Sequence, residues 1–93
     1  GTEAMYDEEK EDGSRQLAEI FLQEVSNSLG SKANGLFPGN RDYVLRSSRV
    51  PAVSVAVGYM TNQEELDKLK TAEYQGRAAQ GLYQAILRMA GSQ

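Results

Sequence analysis

The chain has 93 residues with 13 acidic against 10 basic side chains, a net charge of −3, and no His or Cys. At that length it forms one domain, residues 1–93, burying roughly two thirds of the surface its unfolded form exposes. The scattered Lys and Arg exclude the clustered basic patch that a nucleic-acid binder needs, and the missing His and Cys remove imidazole acid–base chemistry, thiol catalysis, disulfides and nearly every ordinary zinc or copper ligand set. Only carboxylates remain as metal ligands. No apolar run approaches the roughly 20 residues of a membrane span, and no leader is recognisable before the first structural segment, so any export signal is expected on a longer parent chain.

Read in chain order, Thr2 to Tyr6 form a short strand, followed by an acidic loop over residues 7–13 with Asp7, Glu8, Glu9, Glu11 and Asp12. Ser14 is placed to cap a helix in which Leu17, Ile20, Phe21, Val25 and Leu29 recur at helical spacing, and Gly30 supplies a left-handed stop. Residues 30–41, dense in Gly, Asn and Pro, read as a loop from which Leu36 and Phe37 fold back onto apolar surface. A strand is expected around Tyr43 to Leu45 and another from Pro51 to about Tyr59, the two being neighbours in one sheet. Asn62 and Glu65 match a capping box for a short helix through about Lys70. Thr71 then caps a longer helix ending near Gly91, with Tyr74, Ala78, Leu82, Ala85, Ile86 and Met89 on one face.

The stretch "PAVSVAVGYMTN", residues 51–62, alternates by size. Val53, Val55, Val57 and Tyr59 share one side of an extended chain, while Ala52, Ser54, Ala56, Gly58 and Met60 share the other. The bulky row is expected to fill a core; the small row lets a helix or a substrate come close.

Several segments together resemble a known family, the zinc-dependent bacterial N-acetylmuramoyl-L-alanine amidases, which cut the bond joining peptidoglycan glycan to its stem peptide. "GTEAMY" is similar to a strand near the middle of that family's domain, "SRQLAEIFLQEV" to the helix after it, "DYVLRSSRVPAVSVAVGYMTNQEELDKL" to its C-terminal strand pair and turn, and "EYQGRAAQGLYQAI" to its last helix. The resemblance implies an α/β fold, a small mixed or parallel sheet covered by helices as part of a three-layer amidase domain. It also implies a bacterial envelope or extracellular setting, with the peptidoglycan stem peptide and glycan as partners. Zinc in the complete domain is held by two His and a Glu from the N-terminal half, which this chain lacks, so no cofactor is expected here. The family's catalytic Glu, two residues before its Gly-aromatic pair, falls on Ala56.

Three readings stay open: the C-terminal portion of an amidase, inactive alone; a degenerate amidase-like module that binds peptidoglycan or regulates a true amidase; and a generic α/β interaction domain. Arg46 and Arg49 are candidates for contact with an anionic stem peptide; Asn62, primarily a helix cap at the family's Ser/Thr-Asn position, and Ser54, on the small face with no base arranged beside it, are the other candidate substrate-binding residues. Tyr43, Tyr59, Tyr74 and Tyr83 read as core and interface aromatics. Glu3, Glu24, Glu64 and Glu65 show no fixed pairing for acid–base or metal work. The absence of the family's other half predicts an uncovered strand edge or sheet face and self-association.

Overall fold

The computed structural model describes residues 1–39, 42–58, 64, 67–68 and 71–91. Its organising element is β1, Thr2–Tyr6, whose alternation buries Thr2, Ala4 and Tyr6 and leaves Glu3 and Met5 half-buried on the opposite face. β1 runs parallel to β2 (Ala33–Pro38), with Ala4 beside Leu36, and antiparallel to β3 (Ser54–Ala56), with Ala4 beside Val55. The sheet is therefore mixed, in the order β2-β1-β3.

α1 spans Ser14–Leu29 and packs along all three strands. Its Ala18 meets Ala4 and Tyr6 in the buried core, and Leu22, Leu36 and Val53 pack around them. The helix ends as expected at Gly30, whose φ of 65° admits the left-handed turn, and the Ser31 N–H donates to the Ser26 carbonyl at 3.0 Å. Its start differs from expectation. Ser14 is the first helical residue and Gly13, at φ 89°, holds the capping position. The Ser14 N–H instead donates to Asp12 Oδ1 at 3.0 Å, while Ser14 Oγ accepts from the Ala52 N–H at 3.1 Å. Ser14 is thus spent on tying the acidic loop and the approach to β3 to the head of α1.

Two expected elements are corrected. The loop read over residues 30–41 contains β2, because pairing with β1 overrides the weak local strand propensity of "ANGLFP". Gly35, at φ 127°, and the terminal Pro38 are tolerated because β2 is an outer strand. Leu36 does pack on the core, whereas Phe37 is 40% exposed. The strand expected at Tyr43 to Leu45 is a short helix, α2 (Tyr43–Ser47). Asp42 Oδ1 accepts from the Val44 and Leu45 N–H groups, and Lys10 Nζ donates to the Leu45 and Ser48 carbonyls, so both ends of this single turn are satisfied. The two strands expected to be sequence neighbours therefore do not pair; β3 pairs with β1 and is limited to Ser54–Ala56. The Asn62–Glu65 capping box lies outside the described residues, although Glu64, Asp67 and Lys68 are helical and Glu64 pairs with Lys68 at 3.6 Å.

α3, Ala72–Gly91, starts where Thr71 Oγ1 accepts from the Tyr74 N–H at 3.1 Å, and it packs on α1. The contact is centred on Gly81 and Ala85, both buried: a Cβ built on Gly81 would stand 2.7 Å from Val25 Cα. Ser28 Oγ donates to the Arg77 carbonyl at 2.6 Å, and Arg88 reaches Gln23 and Glu24 at the other end of the crossing. Of the face expected from sequence, Tyr74, Ala78 and Met89 are half-buried, but Leu82 and Ile86 are exposed together with Tyr83 and Leu87. The buried stripe is the small one, since only small residues let the two backbones approach this closely.

Gly81→Val is expected to lower stability by about 1–3 kcal/mol or more, because the added methyls meet backbone that cannot yield. Gly76, with open space around it, provides the contrast: Gly76→Ala should raise stability by about 0.5–1 kcal/mol. Chemical denaturation of both variants checks the pair, and equal effects would refute the close crossing.

A hydrogen bond from the Ser14 side chain holds the exposed Asp12 carboxyl below its ordinary pKa. A depressed folded-state value contributes stability that is present above the unfolded pKa and fades as pH falls through the folded one. Ser14→Ala should therefore raise the Asp12 titration midpoint in NMR towards its ordinary value. An unchanged midpoint would show that the hydroxyl does not hold Asp12.

Candidate functional site

β3 presents two different faces. Val55 lies beside Ala4 and Val53 packs on the core, so the valine row faces α1. Because side chains alternate, Ser54 and Ala56 lie on the other face, where Ala56 is directly opposite Glu3 and Ser54 directly opposite Met5. Gly35 and Phe37 extend this second face across β2, beside Glu3 and Met5. Among the described helices only α1 packs along the sheet, and it does so on the valine side. The second face is thus an open shelf of small and half-buried side chains, bounded at the Met5 end by Leu45 of α2, which together with Met5 closes around Gly39.

The candidate residues are dispersed around this shelf. Ser54 and Ala56 are on it, half-buried, and Glu3 stands next to Ala56. Arg46 is exposed in α2, with its backbone N–H donating to the Asp42 carbonyl, and Arg49 is exposed in the following bend. Asn62, Glu65 and Tyr59 lie outside the described residues, as does the Tyr43 side chain. Tyr74 anchors the start of α3 to the strand region through its hydroxyl, which donates to the Val57 carbonyl at 3.4 Å, whereas Tyr83 is 55% exposed. Glu24 meets Arg88 at 3.3 Å on the α1–α3 seam, away from the shelf, so Glu3 and Glu24 are not brought together. The Glu3–Ala56 juxtaposition is the feature sequence reading missed. Alternation placed Ala56 on the small face, but the strand opposite it follows only from the β1–β3 register.

The donor set does not fit a zinc site. The chain has no imidazole or thiolate, and among the described residues no three carboxylates converge. No described helix is long and apolar enough to cross a membrane.

The fold is shared with solved N-acetylmuramoyl-L-alanine amidases. The family model for N-acetylmuramoyl-L-alanine amidases matches residues 1–88, and the chain belongs to that family. It is 32% identical over 84 residues to the N-acetylmuramoyl-L-alanine amidase LytC of Bacillus subtilis, covering 89% of this chain and 17% of that protein. It is also 32% identical over 87 residues to the uncharacterised protein YqiI of the same organism, covering 92% of this chain and 42% of that one. The solved N-acetylmuramoyl-L-alanine amidase of Clostridium difficile 630 superposes with a TM-score of 0.92 at 29% identity, covering all of this chain and 50% of that one. The catalytic domain of CwlV from Paenibacillus polymyxa superposes with a TM-score of 0.87 over the same shares, also at 29% identity. The chain thus spans half or less of each of these relatives.

Titration calorimetry with zinc checks the reading of the donor set. The expected outcome is no one-to-one complex with a submicromolar constant, because scattered carboxylates offer no preformed geometry. A tight stoichiometric complex would overturn it.

Proposed function

We propose that this chain forms the C-terminal half of a bacterial cell-wall amidase active site, the floor on which the amide between N-acetylmuramic acid and L-alanine is presented, and that it does not hydrolyse that amide by itself. The carrying observation is the shelf: Ala56 and Ser54 face away from α1, with Ala56 opposite Glu3. Family membership and superposition on half of the solved amidases support the reading. Peptidoglycan is then the partner and the cell envelope or its exterior the setting, with Arg46, Ser54 and Asn62 as the candidate substrate contacts. Amide hydrolysis needs a base to activate water and an acid to protonate the leaving amine, together worth about 100- to 10,000-fold or more. Ala56 stands where the resemblance puts the family's catalytic Glu, and a methyl group performs neither step. Zinc, on this reading, belongs to ligands supplied from outside this chain. A second reading, a degenerate module that binds peptidoglycan or regulates an amidase, is favoured by the same Ala56; in the isolated chain we also infer a second copy as partner.

Thermal denaturation of Ala56→Glu beside Val55→Glu tests the shelf. A carboxylate at position 56 stays near water and should be tolerated, whereas one at position 55 points at Ala4 and α1 and should cost several kcal/mol, on the order of the penalty for an unpaired buried charge. Equal, severe destabilisation would make position 56 ordinary core and sink the proposal. Retention on insoluble peptidoglycan, without appearance of free L-alanine amino groups, would favour the binding module; no retention would count against it.

A further inference from the structure

The two outer strands of the sheet are built very differently. β2 carries Gly35 at φ 127°, ends in Pro38, follows the exposed Lys32 and has an irregular register between Thr2 and Glu3 against β1. Glycine, proline, a bulge and a flanking charge are the devices by which sheets discourage a further strand from pairing. β3 has none of them. It pairs with β1 on one side and, among the described residues, with no strand on the other; just past its end the Val57 carbonyl accepts from the Tyr74 hydroxyl at 3.4 Å. From Val50 to Gln63 the chain has no charged residue, and from Ala52 to Val57 it has no Gly or Pro.

The same segment is self-complementary. "AVSVA", residues 52–56, reads identically in both directions. Pairing two copies antiparallel about Ser54 sets Val53 against Val55 and Ala52 against Ala56; pairing about Val55 sets Val53 against Val57 and Ser54 against Ala56. Either way valine meets valine on the face that carries α1, and small residue meets small residue on the shelf. Although each copy has a net charge of −3, no like charges are brought opposite each other across this seam.

We infer that the free edge of β3 is an isologous docking site for a second copy of this chain, the two β3 strands pairing antiparallel to join two three-stranded sheets into one of six strands. This rests on the self-association reading above and adds its edge, its symmetry and its register. The pair would set the two small-residue shelves side by side on one face of a continuous sheet.

The chain has no cysteine, so single introduced thiols report without ambiguity. Sedimentation velocity across a concentration series is expected to show a dimer. Ser54→Cys, or Ala56→Cys as a second reporter on the same face, is expected to be captured as that dimer by a short bismaleimide, because direct and diagonal partners across such a pair lie within about 5–8 Å. Ser54→Lys, which places two ammonium groups at the seam, should weaken association at least tenfold with an unchanged circular dichroism spectrum. A monomer at every concentration overturns both self-association and the edge. A dimer captured through Ile86→Cys on α3 or Ala33→Cys on β2, but not through position 54 or 56, leaves self-association standing and overturns the edge. Capture in cells of a product whose mass is not twice that of the chain identifies another occupant and likewise overturns it.

Discussion

Everything in this molecule depends on β1 having two partners and two faces. Ala4 sits beside Leu36 on one side, beside Val55 on the other, and in the core with Ala18 beneath it. A residue of ordinary size there would push α1 off the sheet or open the strand spacing, and the close packing of protein interiors leaves little slack for either. The alternate residues of the same strand, Glu3 and Met5, set the floor of the shelf, so one five-residue segment determines both where the core lies and where the shelf lies.

The parts legible in sequence are those governed by local rules. The limits of α1 and α3 followed from apolar periodicity and from Gly30 and Thr71, and the two-faced character of residues 52–57 followed from alternation alone. The parts that were not legible are governed by distant partners. β2 has the composition of a loop and is a strand because β1 offers it a ladder, while "YVL" has strand propensity and is a helix because Asp42 and Lys10 satisfy its ends. The hydroxyl of Ser14 looked like a cap and is a tether to Ala52. Of the candidate site, the face of Ala56 was readable, the opposition of Glu3 was not, and the amidase resemblance required motifs spread along most of the chain.

Two surfaces are left uncovered by the described elements. One is the shelf, which none of the described helices packs along. The other is the outer side of α3, where Leu82, Tyr83, Ile86 and Leu87 are exposed at i, i+1, i+4 and i+5 spacing, a stripe broad enough to serve as a second helix interface. The buried side of that helix is lined by Gly81 and Ala85 instead, an inversion of the usual arrangement in which large apolar residues go inward. Close backbone approach compensates for the small area each of these residues offers, and it makes the α1–α3 seam sensitive to volume more than to hydrophobicity.

The position of β1 in the chain also dictates an order of events during synthesis. It leaves the ribosome before both of its partner strands and is completed only after them, since its parallel partner follows a whole helix later and its antiparallel partner lies beyond α2. Until residues 54–56 emerge, Glu3, Ala4 and Met5 have one ladder instead of two, and the nascent sheet offers an open edge on its central strand. Long-range pairings of this kind slow folding because the intervening chain must be ordered before the contacts form. The acidic loop directly after β1 keeps that waiting segment charged and solvated, which guards the unfinished sheet against premature pairing with its neighbours.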